Sequence, residues 1–326
     1  HVSTMNSTDQ PAAGVGKTFD PIFVVGCERS GTTLLRVLLD RHSLVAVTEE
    51  THFFPEIYER FRASHQDGGH DALFGLIRDD QRMANQAMDR QLILYRFKGY
   101  PPDFKHLFRS VLEEYANQHK ALHVVEKTPG HLAYVGQIFK WFPTARVVCI
   151  VRDGRDVARS LMKVDWTRKD LRLQAMVWRW AAAEGLRLAN RYPRQFMQVK
   201  FEDLLCHPQR TLGRVDQFIG VSFEDQQLSP ATPTRFNLQD NALHQKTLES
   251  LDTSRIGAWR QTTADLEKWL MNSMMGPCLR RLGYPETDMG QCPMHRRLCH
   301  QVNNLGYRCG AWGPTARWSS TRSRAV

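Results

Sequence analysis

Ile22-Phe23-Val24-Val25-Gly26-Cys27-Glu28-Arg29-Ser30-Gly31-Thr32-Thr33 is the stretch that decides the fold. A short apolar run ends in glycine, a polar loop follows, and Leu34-Leu35 opens a helical stretch. That is the order of a buried strand, a phosphate-cradling loop and a helix N-terminus, where exposed backbone N–H groups attract an anion. A Walker A loop reads G-x-x-x-x-G-K-[ST], with the lysine on the terminal phosphates and the hydroxyl on magnesium. Gly26 and Gly31 keep that spacing, but Thr32 stands in the lysine's place and Arg29 supplies a cation from inside the loop. The stretch therefore predicts a phosphate-type ligand other than ATP.

Working outward, short β-branched runs at 22–26, 45–47, 122–125, 147–151 and 197–201 alternate with helical stretches, the spacing of βαβ units around a parallel sheet. The expected fold is α/β: a single-domain, P-loop NTPase-like parallel sheet flanked by helices, over residues 20–285. Residues 53–118 read as a helical insertion, with Ile57, Phe61, Leu73, Leu76, Leu92 and Leu107 on apolar faces and a break at Gly99-Tyr100-Pro101-Pro102. It is a natural place for an acceptor site. Residues 171–190 read as another helix, with Met176, Trp180, Leu186 and Leu188 on its apolar side and Trp178 partly so. Residues 1–19 read as a flexible arm: the Gly14-Val15-Gly16-Lys17-Thr18 run has Pro11 at the first glycine position and no strand before it. The Gly283-Tyr284-Pro285 turn closes the fold, and 286–326 reads as a basic, poorly structured extension.

The 326 residues carry 44 Lys and Arg against 34 Asp and Glu, a net charge of +10 that suits polyanionic ligands. Much of the excess is in the tail: Arg296, Arg297, Arg308, Arg317, Arg322 and Arg324 follow the last acid, Asp288. The seven cysteines form no disulfide framework, and Cys27 and Cys149 read as small buried hydrophobes. Cys292, His295, Cys299, His300 and Cys309 match no zinc spacing, so no metal is expected. Apolar runs are too short to span a bilayer and no signal peptide is read, which gives a cytoplasmic expectation. The numbering opens at His1 with the first methionine at Met5, so an upstream anchor stays open.

A second anion signal lies at Val147-Val148-Cys149-Ile150-Val151-Arg152-Asp153-Gly154-Arg155-Asp156-Val157-Ala158-Arg159-Ser160. A buried strand ends at Arg152, a tight turn follows, and a helix begins. Arg152 and Ser160 can both face the crevice at the carboxyl ends of the strands, where open α/β sheets bind ligands. Arg155 and Arg159 are expected on the surface of that helix. Two strand–loop–helix anion sites in one sheet point to a ligand with two separated phosphate groups.

The first loop, the Arg152-to-Ser160 segment and Lys200-Phe201-Glu202-Asp203-Leu204 together resemble, in order and spacing, the signatures of sulfotransferases that use 3'-phosphoadenosine 5'-phosphosulfate (PAPS). The resemblance covers about residues 20–285. It implies that Arg29, Ser30, Gly31, Thr32 and Thr33 hold the 5'-phosphosulfate, that Arg152 and Ser160 hold the 3'-phosphate, and that no metal is needed. Phe201 stands where the family commonly has tyrosine, which keeps stacking but not a hydroxyl. Ser254-Arg255-Ile256-Gly257-Ala258-Trp259-Arg260 resembles the segment that closes over the nucleotide, with Arg255 the phosphate contact and Trp259 in the core.

Arg29-Ser30-Gly31-Thr32-Thr33-Leu34-Leu35-Arg36 followed by Glu49-Glu50-Thr51 is most similar to the tyrosylprotein sulfotransferases and their bacterial relatives. Glu50, 21 residues after Arg29, matches their catalytic base, with a helix-capping carboxylate as the competing reading. Glu126-Lys127-Thr128-Pro129 resembles the segment whose lysine approaches the transferring group, and Glu126 is expected to orient Lys127 through an ion pair. Sulfuryl transfer needs a base at the acceptor hydroxyl and positive charge at the leaving phosphate. The implied acceptor is a hydroxyl of protein tyrosine, carbohydrate or small molecule, with PAP as the second product. A P-loop kinase and a basic nucleic-acid-binding protein are the alternatives. Thr32 and the absence of a magnesium carboxylate after a strand weigh against the first. The second lacks interleaved aromatics and a binding module, so nucleic acid is not expected as a partner.

Overall fold

The computed structural model of the protein describes residues 19–64, 69–78, 80, 88–236, 251–285 and 290. The late Cys/His set and, apart from Phe19 and Gly290, the expected arm and tail lie outside the described residues.

Five parallel strands form one sheet in the order β2-β3-β1-β4-β5: β1 Ile22–Gly26, β2 Val45–Val47, β3 His123–Lys127, β4 Arg146–Val151 and β5 Phe196–Lys200. The α/β expectation holds, and each expected strand is present within a residue or two. Strand side chains alternate between faces, and here both faces are dry. Phe23, Val25, Val147, Cys149 and Val151 enter one core. Ile22, Val24, Val148 and Ile150 enter the other. This is why the strands read as continuous apolar runs rather than alternating ones.

Helix α1 (Thr32–Asp40) covers the second face through Leu34, Leu35, Leu38 and Leu39. The first face is covered by the segment after β2. A single π-helical turn at Phe53–Tyr58 leads into α2 (Glu59–Ser64), followed by α3 (His70–Arg78), α4 (Arg90–Lys98) and α5 (Phe104–Gln118). The Pro101-Pro102 break separates α4 from α5 as expected, whereas Leu92 is 42% exposed rather than on a buried face. Past β3, a 3-10 turn at Pro129–Tyr134 precedes α6 (Val135–Trp141), and α7 (Gly154–Leu161) follows β4. Next comes α8 (Leu171–Arg191), started by the Asp170 carboxylate accepting from the N–H groups of Arg172 and Leu173. Its buried stripe runs through Ala175, Trp178, Ala182, Gly185 and Leu188, so Trp178 is more central than expected, while Met176, Trp180 and Leu186 pack half-buried against the same core. The small residues let the helix lie close: a side chain at Gly185 would come 2.8 Å from Gln198 of β5.

Helices α9 (Phe201–Cys206) and α10 (Pro208–Ile219) return to the α1 side, and α11 (Trp259–Thr262) and α12 (Asp265–Arg281) close against α7 and α8. The chain goes from β1 to one side of the sheet and, after β3, crosses to the other, so the carboxyl edges of β1, β3 and β4 open at a topological switch point, where such sheets bind ligands. Among the described residues no helix is long and apolar enough to cross a membrane, and no group of three or more acidic, His or Cys side chains is arranged to hold a metal ion.

Candidate active site

The β1 loop turns on three left-handed residues. Gly26 (φ 152°) lies so close to β4 that a Cβ would stand 2.5 Å from the Ile150 carbonyl oxygen. Arg29 has φ 67°, and Gly31 (φ 101°) precedes α1, where a Cβ would stand 2.4 Å from the Phe201 ring. These turns aim the start of α1 at the crevice.

Four elements deliver the predicted anion residues to one place. Arg29 Nε donates to Ser160 Oγ at 3.1 Å, and Arg152 Nη1 donates to the Arg29 carbonyl at 3.4 Å. Arg152 Nη2 donates to the Arg255 carbonyl at 2.7 Å, and its guanidinium lies 4.5 Å over the Phe201 ring. Arg255 thus enters through its backbone, while its own guanidinium pairs with Asp252 at 3.5 Å. Burial lowers the pKa of Arg29, and repulsion from Arg152 lowers it further. Burial lowers that of Arg152 too, against the pull of Asp156 and Glu202. Two guanidinium groups confined this way favour an anion between them. Ser30 Oγ and Arg152 Nε are buried without a hydrogen-bond partner among the described residues, which fits a site that could take an anion. Thr32 is buried and Thr33 half-buried at the same helix start.

At the next strands, alternation past β2 separates the two glutamates. Glu49 faces Arg36 at 3.8 Å, whereas Glu50 Oε1 accepts from Lys127 Nζ at 2.7 Å. His52 lies on Glu50's side, with Nε2 3.0 Å from Glu50 Oε2. Burial pushes the Glu50 carboxyl up, but Lys127 and His52 outweigh it and hold it well below the usual carboxylate range. Glu50 stays 32% exposed to the cleft, and Lys127 is buried. The capping position before Phe53 belongs to His52, and the first N–H groups of that turn donate to Thr51 Oγ1 and His131 Nε2 at 3.2 and 3.4 Å rather than to Glu50. Lys127 pairs in register with Val24, which places the Glu50–Lys127 pair one strand from the β1 loop.

Two expectations need correction. Arg155 is not on the surface: it is fully buried, its guanidinium held by both Asp153 oxygens at 2.9 and 2.8 Å and by Asn272 Oδ1 at 3.0 Å, and packed 4.1 Å from Trp259. Glu126 does not pair with Lys127, because consecutive strand residues face opposite sides; it contacts Thr51, Thr128 and His131 instead. Trp259 is core as expected. Sequence reasoning missed His52, which the i, i+2 spacing from Glu50 would have flagged. It also missed Asp156, whose oxygens accept from the N–H groups of Trp259 and Gly257 at 2.9 and 2.8 Å and so hold the 252–260 segment beside Arg152.

A parallel sheet with a glycine-hinged loop and paired guanidinium groups at its switch point defines an anion-binding α/β protein of the P-loop type. The model of the sulfotransferase family matches residues 21–225, and the chain belongs to that family. It is 24% identical to protein-tyrosine sulfotransferase A of Caenorhabditis elegans over 285 residues, 83% of this chain and 69% of the relative. Protein-tyrosine sulfotransferase 2 of Gallus gallus is 25% identical over 63% of this chain, which spans 52% of that relative's length. In structure the chain is similar to the sulfotransferase domain of the Synechococcus PCC 7002 olefin synthase, with a TM-score of 0.59 and 20% identity over 82% of this chain and 96% of that domain.

Proposed function

We propose that the protein transfers a sulfuryl group from PAPS to an acceptor hydroxyl, with Glu50 as the base. The observation that carries this reading is the 2.7 Å Glu50–Lys127 pair one strand away from the Arg29–Arg152 cradle. PAPS supplies an activated sulfuryl group on a nucleotide bearing two separated phosphate positions. Arg29, Ser30 and the start of α1, with Gly31, Thr32 and Thr33, would hold its 5' end; Arg152 and Ser160 would hold the 3'-phosphate. Phe201 would back the cradle, and the 252–260 segment carrying Arg255 would border it. Lys127, a compact point charge held beside Glu50, would stabilise the charge that develops on the leaving side, and Glu50 would take the acceptor proton.

A tyrosine phenol is the acceptor we infer. A phenol of pKa about 10 gives up its proton to a carboxylate more readily than an alcohol near the value of about 15.7 for water. The names of the worm and chicken relatives support the same choice.

Glu50→Gln keeps shape and removes the base. Turnover of a tyrosine peptide with PAPS should fall by about 10² to 10⁴ while stabilisation by PAP stays unchanged. The acid limb of the wild-type kcat/KM profile, where activity drops as Glu50 is protonated in the free enzyme, should lie below the usual carboxylate range and vanish in the variant. PAP at about a hundred times its Kd should add roughly 2 to 3 kcal/mol of stability. Near-normal turnover of Glu50→Gln removes the base; equal stabilisation by magnesium ATP, with phosphate transfer, makes the protein a kinase.

A further inference from the structure

Behind the Glu50–Lys127 pair lies a polar cluster with no route to solvent. Glu126 is fully buried, as is His131, which meets Phe23, Phe54 and Phe108 edge-on. A buried carboxylate is costly unless several donors meet it. Here Thr51 Oγ1 donates to Glu126 Oε1 at 2.7 Å, Thr128 Oγ1 donates to the same oxygen at 2.6 Å, and His131 Nδ1 lies 2.7 Å from Oε2. The Phe54 N–H donates to His131 Nε2 at 3.4 Å, while His131 Nδ1 and Glu126 Oε2 are close without the orientation of a hydrogen bond, so the two threonine hydroxyls are the donors that satisfy the carboxylate. Burial pushes the Glu126 carboxyl up, and His131 and the two hydroxyls overcome this and hold it below its ordinary value.

The two hydroxyls are not scattered. Thr51 follows Glu50 directly, and Thr128 follows Lys127 directly. The two segments follow different strands, β2 and β3, and are tied again by the His52 N–H donating to Thr128 Oγ1 at 3.3 Å. Between them sits His52 with φ 49°, a left-handed conformation that a non-glycine residue keeps only where its surroundings over-determine it. Glu126 is therefore the shared anchor of the residue after the base and the residue after the cation.

We propose that Glu126 is a positioning residue for the transfer reaction, clamping Thr51 and Thr128 so that Glu50 and Lys127 are held in fixed relation at the acceptor. This rests on the assignment of Glu50 and Lys127 given above. Glu126 touches neither substrate in this scheme: it acts through the backbone of its two neighbours. Both hydroxyls point inward to Glu126 Oε1, and neither competes for Glu50.

Thr51→Val and Thr128→Val test the clamp, since each keeps side-chain volume and deletes one hydroxyl. A misplacement of about 1 Å can cost a hundredfold in rate. Each single variant should lower kcat about tenfold and the double variant about a hundredfold, with the KM for PAPS and the PAP thermal shift unchanged. Rates are taken per PAP-binding site by titration, so misfolded protein does not count. Thr51→Ser and Thr128→Ser, which restore the hydroxyls, should recover wild-type kcat. Wild-type kcat in both valine variants, or serine variants as slow as valine ones, overturns the clamp. So does a rate loss matched by an equal loss of donor affinity, which marks a structural role only. Glu50→Gln run alongside separates the two readings: an inactive Glu50→Gln with fully active valine variants refutes the clamp alone, and an active Glu50→Gln refutes the base and the clamp together.

Discussion

Replacing Gly31 by alanine should damage the cradle in two ways that can be measured apart. The residue sits at φ 101°, where an L side chain costs about 1 to 2 kcal/mol. Its new Cβ would stand 2.4 and 2.9 Å from two carbons of the Phe201 ring and 3.3 Å from Ile150 Cδ1. The ring must give way, at an overpacking cost of about 1 to 3 kcal/mol. The sum of about 2 to 5 kcal/mol corresponds to a Tm lower by roughly 3 to 7 °C for a chain of this size. Because Phe201 also lies 4.5 Å under the Arg152 guanidinium, the displaced ring should weaken PAP binding as well. Thermal denaturation followed by circular dichroism, with and without PAP, reads both effects. Gly31→Ala combined with Phe201→Leu should recover the overlap part and leave the backbone part. An unchanged Tm and PAP shift in Gly31→Ala would refute the account of why this loop needs glycine.

Arg152→Ala should weaken PAP binding by about 1.5 to 3 kcal/mol, tenfold or more, and narrow the preference for PAP over adenosine 5'-phosphate; calorimetric titration with both nucleotides checks it. Arg155→Ala breaks a fully buried ion pair and should cost about 3 to 5 kcal/mol in urea unfolding, where a surface arginine would cost almost nothing. Burial pushes the Asp216 carboxyl up to about 6 from 3.8, and its Oδ2 has no hydrogen-bond partner. The folded chain thus binds that proton more tightly than the unfolded chain, so the group's contribution to stability falls as pH rises from about 4 to 6 and stays lost above. Asp216→Asn should raise stability near pH 7 by up to about 3 kcal/mol and change it little near pH 4, as melting curves at the two pH values will show.

By itself the sequence determined the features that are local in the chain. The β1 loop is contiguous, so strand, glycine hinge, Arg29 and helix start are all legible in twelve residues. The parallel sheet followed from apolar runs with no polar alternation, because both faces are covered. Arg152 and Ser160 stand out from the strand–turn–helix pattern, and Glu50 and Lys127 from resemblance to the family's motifs; the structure brings Glu50 to Lys127 and Arg152 toward the Arg29–Ser160 pair. What only the tertiary structure decided is which partner each charge meets. At the start of α7 every residue from Gly154 to Ala158 is buried, so helical periodicity carries no sign of an outer face and Arg155 could not be recognised as core. Trp178 rather than Trp180 faces the sheet because its indole N–H reaches the Arg152 carbonyl at 3.0 Å and its ring fills the space against Gly154, a contact between residues far apart along the chain. Glu126 and Lys127 are adjacent in sequence and opposite in space. The pleat sends one to the cleft and the other into an aromatic core, and what a buried charge then does is set by the donors that the rest of the fold brings to it.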